Sequence, residues 1–416
     1  MSIRNVSRRR FLKLGATAGG GLIIGVNLPG CSFSGALPIE QESDGFIPHA
    51  FLQITPDNQV IFYCPSDEMG QGVRTGLATI IGEELDFHPQ NMLVKAAGLH
   101  EDYANPEFGV QATGGSNAVR AFWGPLRQAG ADTRALLLNA AAQDLGVSAS
   151  ELTTDNGYVI VGDDRFPYGD FVTTAAQLAM PIETPLKSNA SFRYIGSEFS
   201  RVDALAKSTG TAEFGIDADI PGMVYAVVVR APVAGARVLS VDKTAAEAMP
   251  GVVAIVPVSS GIAVVANAYW HAKNAAQVLE ISWEEIPLGQ VSSAQVRTDY
   301  EAALAEGDTV EASNQGELAA GFDAASSTLE ADYFAPFLAH TPLEPVNATL
   351  HISDNSAELW TGVQSIQGAQ GLVERLTGLP RSNIRVNNLY LGGGFGRRGT
   401  LTHIVEVTEI AMAIDK

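Results

Sequence analysis

A glycine-rich run near the C-terminus constrains this chain more than any other feature. Leu391-Gly392-Gly393-Gly394-Phe395-Gly396-Arg397-Arg398-Gly399 follows a strand-like run, Ile384-Arg385-Val386-Asn387-Asn388-Leu389-Tyr390. It precedes an apolar helical stretch over 404–414. Glycines at a strand-to-helix junction let backbone N–H groups approach an anion with no Cβ in the way. Arg397 and Arg398 could neutralise a phosphate there. Three readings fit. The loop is an anionic-cofactor cradle, a structural turn, or a Gly-x-Gly-x-x-Gly site for a nicotinamide or flavin dinucleotide, read from 394–399. The last also needs a second strand ending in an acid about 20 residues on. Phe395 and the two arginines would crowd its pyrophosphate turn.

The 416 residues suffice for two or three domains, and 46% hydrophobic with 17% charged residues is a globular composition. Formal net charge is −20. Such an acidic chain repels nucleic acid, so DNA and RNA are excluded as expected partners. The only cysteines are Cys31 and Cys64. Two cannot hold an iron–sulfur cluster, so any such centre must sit on a partner chain. Cys64 closes a strand-like run and reads as a small core residue.

Residues 1–36 read as an address. Ser7-Arg8-Arg9-Arg10-Phe11-Leu12-Lys13 precedes an apolar, Gly/Ala-rich run over 14–28, too short for a membrane span. The arginine pair with Phe-Leu-Lys resembles a twin-arginine export signal, which implies a periplasmic protein carried folded, often with its cofactor. Leu28-Pro29-Gly30-Cys31 resembles a lipoprotein box with a proline departing from it, a candidate tether through Cys31.

The rest reads as a mixed α+β (α/β) chain of several domains. A hairpin is expected over 51–63, around Pro56-Asp57-Asn58. Glu68-Met69-Gly70-Gln71-Gly72 then leads into a helix over 75–85, and 92–96 reads as a strand. Thr113-Gly114-Gly115-Ser116-Asn117 opens a helix over 118–145, with Ser116 or Asn117 as its cap. A second hairpin is expected over 152–161 around Asn156-Gly157. The expected boundaries are 47–178 for an N-terminal segment, 179–193 for a linker, 194–285 for a compact α+β module, 286–328 for an acidic connection and 329–416 for a last strand–helix domain. Lys416 follows a helix directly, where a strand–loop–helix unit should feed another strand. The expectation is therefore a fragment or one part of a split subunit.

Four motifs together decide among the readings of the loop: Gly392-Gly393-Gly394-Phe395-Gly396, Trp360-Thr361-Gly362-Val363-Gln364, Glu68-Met69-Gly70-Gln71-Gly72 and Thr113-Gly114-Gly115-Ser116. In their order along the chain they resemble the molybdopterin-binding large subunit of the xanthine oxidase/aldehyde oxidase superfamily, and most of all its isoquinoline 1-oxidoreductase beta-subunit branch. Residues 194–285 resemble its hammerhead domain, through Ser208-Thr209-Gly210-Thr211-Ala212 and Met249-Pro250-Gly251-Val252.

The resemblance implies roles. Gln364 would hydrogen-bond near the molybdenum's oxo/sulfido group. Gly393, Gly394, Phe395 and Gly396 would offer N–H groups beside metal and pterin, with Arg397 and Arg398 candidate phosphate contacts. Gly70, Gln71 and Gly72 would bind the pterin and its phosphate. Thr113, Gly114, Gly115 and Ser116 would cradle the cofactor from the helix start. Alternatives remain: Gln364 pairing only with backbone, Gln71 capping its helix, Glu68 as a helix-start charge. His340 and Glu344 lie where the family lines its active-site approach, or are structural. The cofactor would be molybdenum–molybdopterin in its cytosine dinucleotide form, held by its dithiolene without protein metal ligands. The implied reaction hydroxylates an azaarene or aldehyde with water as oxygen source. Electrons would pass to [2Fe–2S] clusters on a small subunit, with a periplasmic cytochrome c as acceptor. The family's base glutamate lies in the C-terminal half of the large subunit, so no catalytic residue is assigned here. Glu406 and Glu409, on the post-loop helix, read as surface residues. The missing half, in cis or trans, is an expected partner, and the chain alone is expected to be inactive. A non-catalytic cofactor-binding or assembly protein is the competing class.

Overall fold

Alternation explains the first sheet. Leu52 and Ile54 of β2 (Leu52–Ile54) point inward, as do Val60, Phe62 and Cys64 of β3 (Val60–Cys64). The computed structural model describes residues 22–24, 51–181, 184–307 and 310–414. Apart from a short strand β1 (Leu22–Ile24), the address segment and Cys31 lie outside the described residues.

The chain divides into two units, 1–223 with 341–416, and 224–340. In the first, β1, β2, β3 and β4 (Leu93–Ala96) form one sheet in that order; β3 and β4 are parallel, joined through helix α1 (Val73–Leu85). Helix α2 (Ala118–Leu145) packs on α1. Gly130 permits the approach, because a Cβ there would stand 2.5 Å from the Ile81 carbonyl oxygen. Leu77, Ile81, Leu85, Leu126, Leu136 and Leu137 fill the space between helices and sheet, each fully buried. Each such side chain stabilises the fold by about 1.5–3 kcal/mol. Strands β5 (Thr153–Asp155), β6 (Tyr158–Val161) and β7 (Asp164–Pro167) make a meander. Its first turn carries Asn156 and Gly157 at φ +43° and +84°.

Residues 184–203 also belong to this unit and include much of the stretch read as a linker. Two adjacent carboxylates of α1, both without solvent exposure, hold them. Glu83 accepts the backbone N–H groups of Arg193, Tyr194 and Ile195, while Glu84 accepts from Arg127 and the Lys187 amide.

The returning segment, 341–416, adds β13 (Thr349–Ile352), β14 (Ala357–Thr361) and β15 (Ile384–Asn388). β13 and β14 pair antiparallel, β14 and β15 parallel. The parallel pair requires a crossover, which is helix α5 (Ile366–Thr377). Helix α6 (Thr402–Ala413) packs against α5.

The second unit pairs β10 (Val252–Val258), β11 (Gly261–Ala266) and β8 (Tyr225–Arg230) in that order, all antiparallel. Helix α3 (Tyr269–Ala276) covers this sheet, and β9 (Val238–Asp242) pairs with β12 (Glu280–Trp283). Helix α4 (Ser293–Glu306) carries no buried residue. Both units mix helix and strand, so the α+β class holds.

Candidate functional site

Parallel strands place their C-terminal ends side by side, and turns that follow them gather ligands. β14 runs into Gly362-Val363-Gln364, and Ser365 caps α5 by accepting from the Gly368 amide at 3.1 Å. β15 runs into the glycine loop. Hydrogen bonds join both ends to the first segment of the same unit. The Leu391 amide donates to the Glu68 carbonyl at 3.1 Å, and Asn388 Nδ2 to Asp67 Oδ1 at 2.7 Å.

Gln364 is the centre of the arrangement. Its carbonyl accepts the Thr113 amide at 2.7 Å, and its Nε2 donates back to the Thr113 carbonyl at 3.1 Å. A carbonyl can only accept, so this bond fixes which end of the Gln364 amide faces Thr113. The other end, Oε1, is buried and has no hydrogen-bond partner among the described residues. It lies beside Gly394, where a Cβ would stand 3.1 Å from Oε1 and 2.8 Å from Met69 Sδ. Any side chain at Gly394 would fill this space. Among the described residues, the amides of Gly393, Gly394, Phe395 and Gly396 have no protein acceptor. Phe395 adopts φ +50°, a strained left-handed conformation for a bulky residue, with its side chain 68% exposed. Of the other turn, Thr113 is committed to Asp67 and Gln364, while Gly115 and Ser116 are exposed at φ +55° and +52°. Neither Ser116 nor Asn117 caps α2. Asn117 is the boundary residue, but its side chain is taken by Asn105 and Glu107.

The 68–72 turn bears out the reading of Glu68 as a helix-start charge. Glu68 Oε1 accepts the Gly70 and Gly72 amides at 2.9 and 3.1 Å, and Oε2 accepts the Arg74 amide at 3.2 Å. The carboxylate thus occupies the anion-seeking start of α1. Arg201 and Lys207 reach it from outside. Burial alone would raise the Glu68 carboxyl, but the Arg74 amide, Lys207 and the two glycine amides hold it below the ordinary range. The same two cations meet Asp203, which burial raises but Arg201 and Lys207 bring down to about 2. Gln71 does not cap the helix. Its Oε1 accepts the Met69 amide and its Nε2 donates to the Asp67 carbonyl. The Gly70 and Gly72 amides are therefore already engaged by Glu68, and this turn forms a braced wall.

The two loop arginines separate. Arg397 is partly exposed, and among the described residues its side chain reaches only Thr400 Oγ1, at 3.3 Å. Arg398 has no solvent exposure and meets Glu344 Oε2 at 2.6 Å. It cannot be a surface contact for a phosphate, and Glu344, 8% exposed, lines no open approach. Burial pushes Arg398 below the ordinary arginine range, and Glu344 opposes that. His340 is exposed and belongs to the second unit. Glu406 is buried, so the surface reading fails for it; Glu409 is half-buried.

Sequence reasoning missed Asp67. It is 5% exposed, and its amide donates to Thr113 Oγ1 at 2.8 Å. Burial pushes its carboxyl up to about 6, against hydrogen bonds from Asn388 and Thr113. An acid beside another acid at a strand end gives no periodic signal, and its partner Asn388 is 321 residues away.

Two family models, both described as molybdopterin cofactor-binding domain, match residues 6–221 and 302–415. Isoquinoline 1-oxidoreductase subunit beta of Brevundimonas diminuta is 30% identical, over 89% of this chain and 53% of its own length. A membrane-bound aldehyde dehydrogenase [pyrroloquinoline-quinone] of Gluconacetobacter polyoxogenes is 28% identical, over 95% of this chain and 52% of its own. The chain thus spans about half the length of these curated relatives. Among solved structures, quinoline 2-oxidoreductase from Pseudomonas putida 86 aligns with 51% of this chain and 32% of its own, at 23% identity and a TM-score of 0.39. The chain belongs to the molybdopterin cofactor-binding family, that of the large subunits of the xanthine oxidase/aldehyde oxidase superfamily.

Proposed function

We propose that this chain holds molybdopterin in a molybdenum hydroxylase that oxidises an electron-poor carbon of an N-heterocycle or an aldehyde. The observation that carries the reading is the buried Gln364 Oε1, unpartnered among the described residues, beside a glycine loop whose amides at 393–396 also have no acceptor among them. A buried polar atom without a partner is uncommon and costs about 1–3 kcal/mol, so Gln364 Oε1, with free loop amides beside it, points to a ligand that supplies the partner. The residues fit an anionic, hydrogen-bonding cofactor.

Within the proposal, Gln364 and the amides of Gly393, Gly394, Phe395 and Gly396 hold the cofactor. Gly114, Gly115 and Ser116 face it from the start of α2. The 68–72 turn, braced by Glu68, is a wall rather than a phosphate cradle. When bound, the cofactor supplies the two-electron redox centre, and the protein supplies orientation and hydrogen bonds. The cytosine dinucleotide form, water as the oxygen source, electron transfer to a [2Fe–2S] subunit and on to a cytochrome, and periplasmic residence after twin-arginine export all belong to this proposal. So does the need for the other half of the large subunit, in cis or trans, for turnover.

The test is to purify the chain with the products of its neighbouring genes and assay dye reduction with a panel of azaarenes and aldehydes. The proposal expects reduction that depends on molybdenum. Metal-loaded protein inactive across the panel would instead favour a binding or assembly role.

A further inference from the structure

Six hydrogen bonds converge on the inner side of the glycine loop, and one ion pair organises them. Arg398 Nε donates to the Gly393 carbonyl at 2.8 Å, Nη1 to the Gly362 carbonyl at 3.2 Å, and Nη2 to the Glu344 carbonyl at 2.9 Å and carboxylate at 2.6 Å. Glu344 Oε2 also accepts the Gly392 amide at 2.7 Å, and the Glu344 amide donates to the Gly392 carbonyl at 3.1 Å. Glu344 Oε1 is held in turn by the Ile216 amide at 3.0 Å and Asn347 Nδ2 at 2.9 Å. The planar guanidinium therefore ties two peptide segments together: the loop at Gly393, and the strand end at Gly362, two residues before Gln364. A lysine has no such fork.

We propose that the buried Arg398–Glu344 pair is a positioning device that presets the glycine loop against Gln364, so that molybdopterin retention depends on the pair without either side chain touching the cofactor. The inference rests on the molybdopterin reading for its second half alone. The geometry on the inner side explains why the outer amides are free. Gly392 and Gly393 are anchored by a donor and carbonyls facing inward, which leaves the amides from Gly393 to Gly396 for a ligand. Space enforces the same arrangement, since a Cβ on Gly392 would stand 2.2 Å from Glu344 Cβ.

Neutralising one partner strands the other charge and risks unfolding. The informative variant is therefore the double change Glu344→Gln/Arg398→Met, with Arg398→Lys as the conservative one. Val373→Ala in α5, fully buried and away from the loop contacts, serves as the control for a general loss of stability. Two quantities are read on the full chain. One is amide hydrogen exchange of a peptide spanning 389–399. The other is pterin and molybdenum content after production in a host that makes the cofactor. In the double variant, exchange of the hydrogen-bonded loop amides, those of Gly392, Arg397 and Gly399, should rise at least tenfold and cofactor content fall at least tenfold. Arg398→Lys should fall between it and wild type. Val373→Ala should lower the melting temperature yet keep loop protection and cofactor. Unchanged loop exchange in the double variant overturns the proposal, as does an equal loss of cofactor in Val373→Ala. If the wild-type chain holds no molybdopterin, the functional reading fails separately, and loop exchange alone decides whether the pair sets the loop.

Discussion

Arg398 Nη2 lies 2.6 Å from Glu344 Oε2, and Arg398 has no solvent exposure. Breaking such a pair leaves an uncompensated buried charge, which costs about 3–5 kcal/mol. Glu344→Gln should therefore lower unfolding stability by that amount in urea denaturation. A loss below about 1 kcal/mol, typical of exposed ion pairs, would contradict the buried geometry.

The glycines of the loop are not equivalent. Gly392→Ala places a Cβ 2.2 Å from Glu344 Cβ, an overlap that only a backbone shift relieves. Overpacking of this kind costs about 1–3 kcal/mol. Gly396 faces open space but sits at φ +86°, so Gly396→Ala should cost about 1–2 kcal/mol through backbone strain alone. Hydrogen exchange separates the two. The first substitution should deprotect the Gly392 amide, and the second should leave it protected.

Asp67 gives the chain a pH signature. Its folded carboxyl is raised from 3.8 to about 6 by burial. The folded state therefore holds this proton more tightly than the unfolded state. Stability falls as pH climbs from 3.8 through 6 and stays lower above that, by about 3 kcal/mol at the full shift. Asp67→Asn carries no titrating group. The stability difference between wild type and this variant, measured by urea denaturation from pH 3.5 to 7.5, should move in the variant's favour as pH rises. A difference flat across that window would remove Asp67 as the source.

Local chemistry made much of the fold legible. Apolar spacing over 75–85 and 118–145 marked α1 and α2, and Asn156-Gly157 marked the β5–β6 turn. In the second unit, β8, β10 and β11 are runs rich in β-branched residues, a direct strand signal, whereas β9 and β12 are not. Their exposed alternate residues, such as Leu239 and Glu280, dilute the pattern. The glycine turns were legible because glycine has a local conformational meaning. Their bracing was legible only at Glu68, a helix-start charge that accepts amides two to six residues on. Asp67, Glu344 and Arg398 act through partners far along the chain, and no spacing rule links Glu344 to an arginine 54 residues on.

Gln364→Met separates fold from function. It removes the Nε2 bond to Thr113, worth about 1 kcal/mol, but also removes a buried acceptor that has no partner. The two effects oppose, so the cofactor-free chain should melt within a few degrees of wild type. The thermal midpoint by circular dichroism checks this. A large drop would show Gln364 to be a structural strut.

A molybdopterin cradle built from the glycine loop and Gln364, as proposed, makes a stoichiometric demand. The most direct measurement is molybdenum, pterin and released CMP per chain. It would be made on protein from a host that synthesises the cofactor, purified alone and with the products of the neighbouring genes. Near one molybdenum and one pterin per chain are expected in at least one of these preparations, and at least tenfold less in Gln364→Met. Absence of molybdenum and pterin from every wild-type preparation would contradict the proposed cradle.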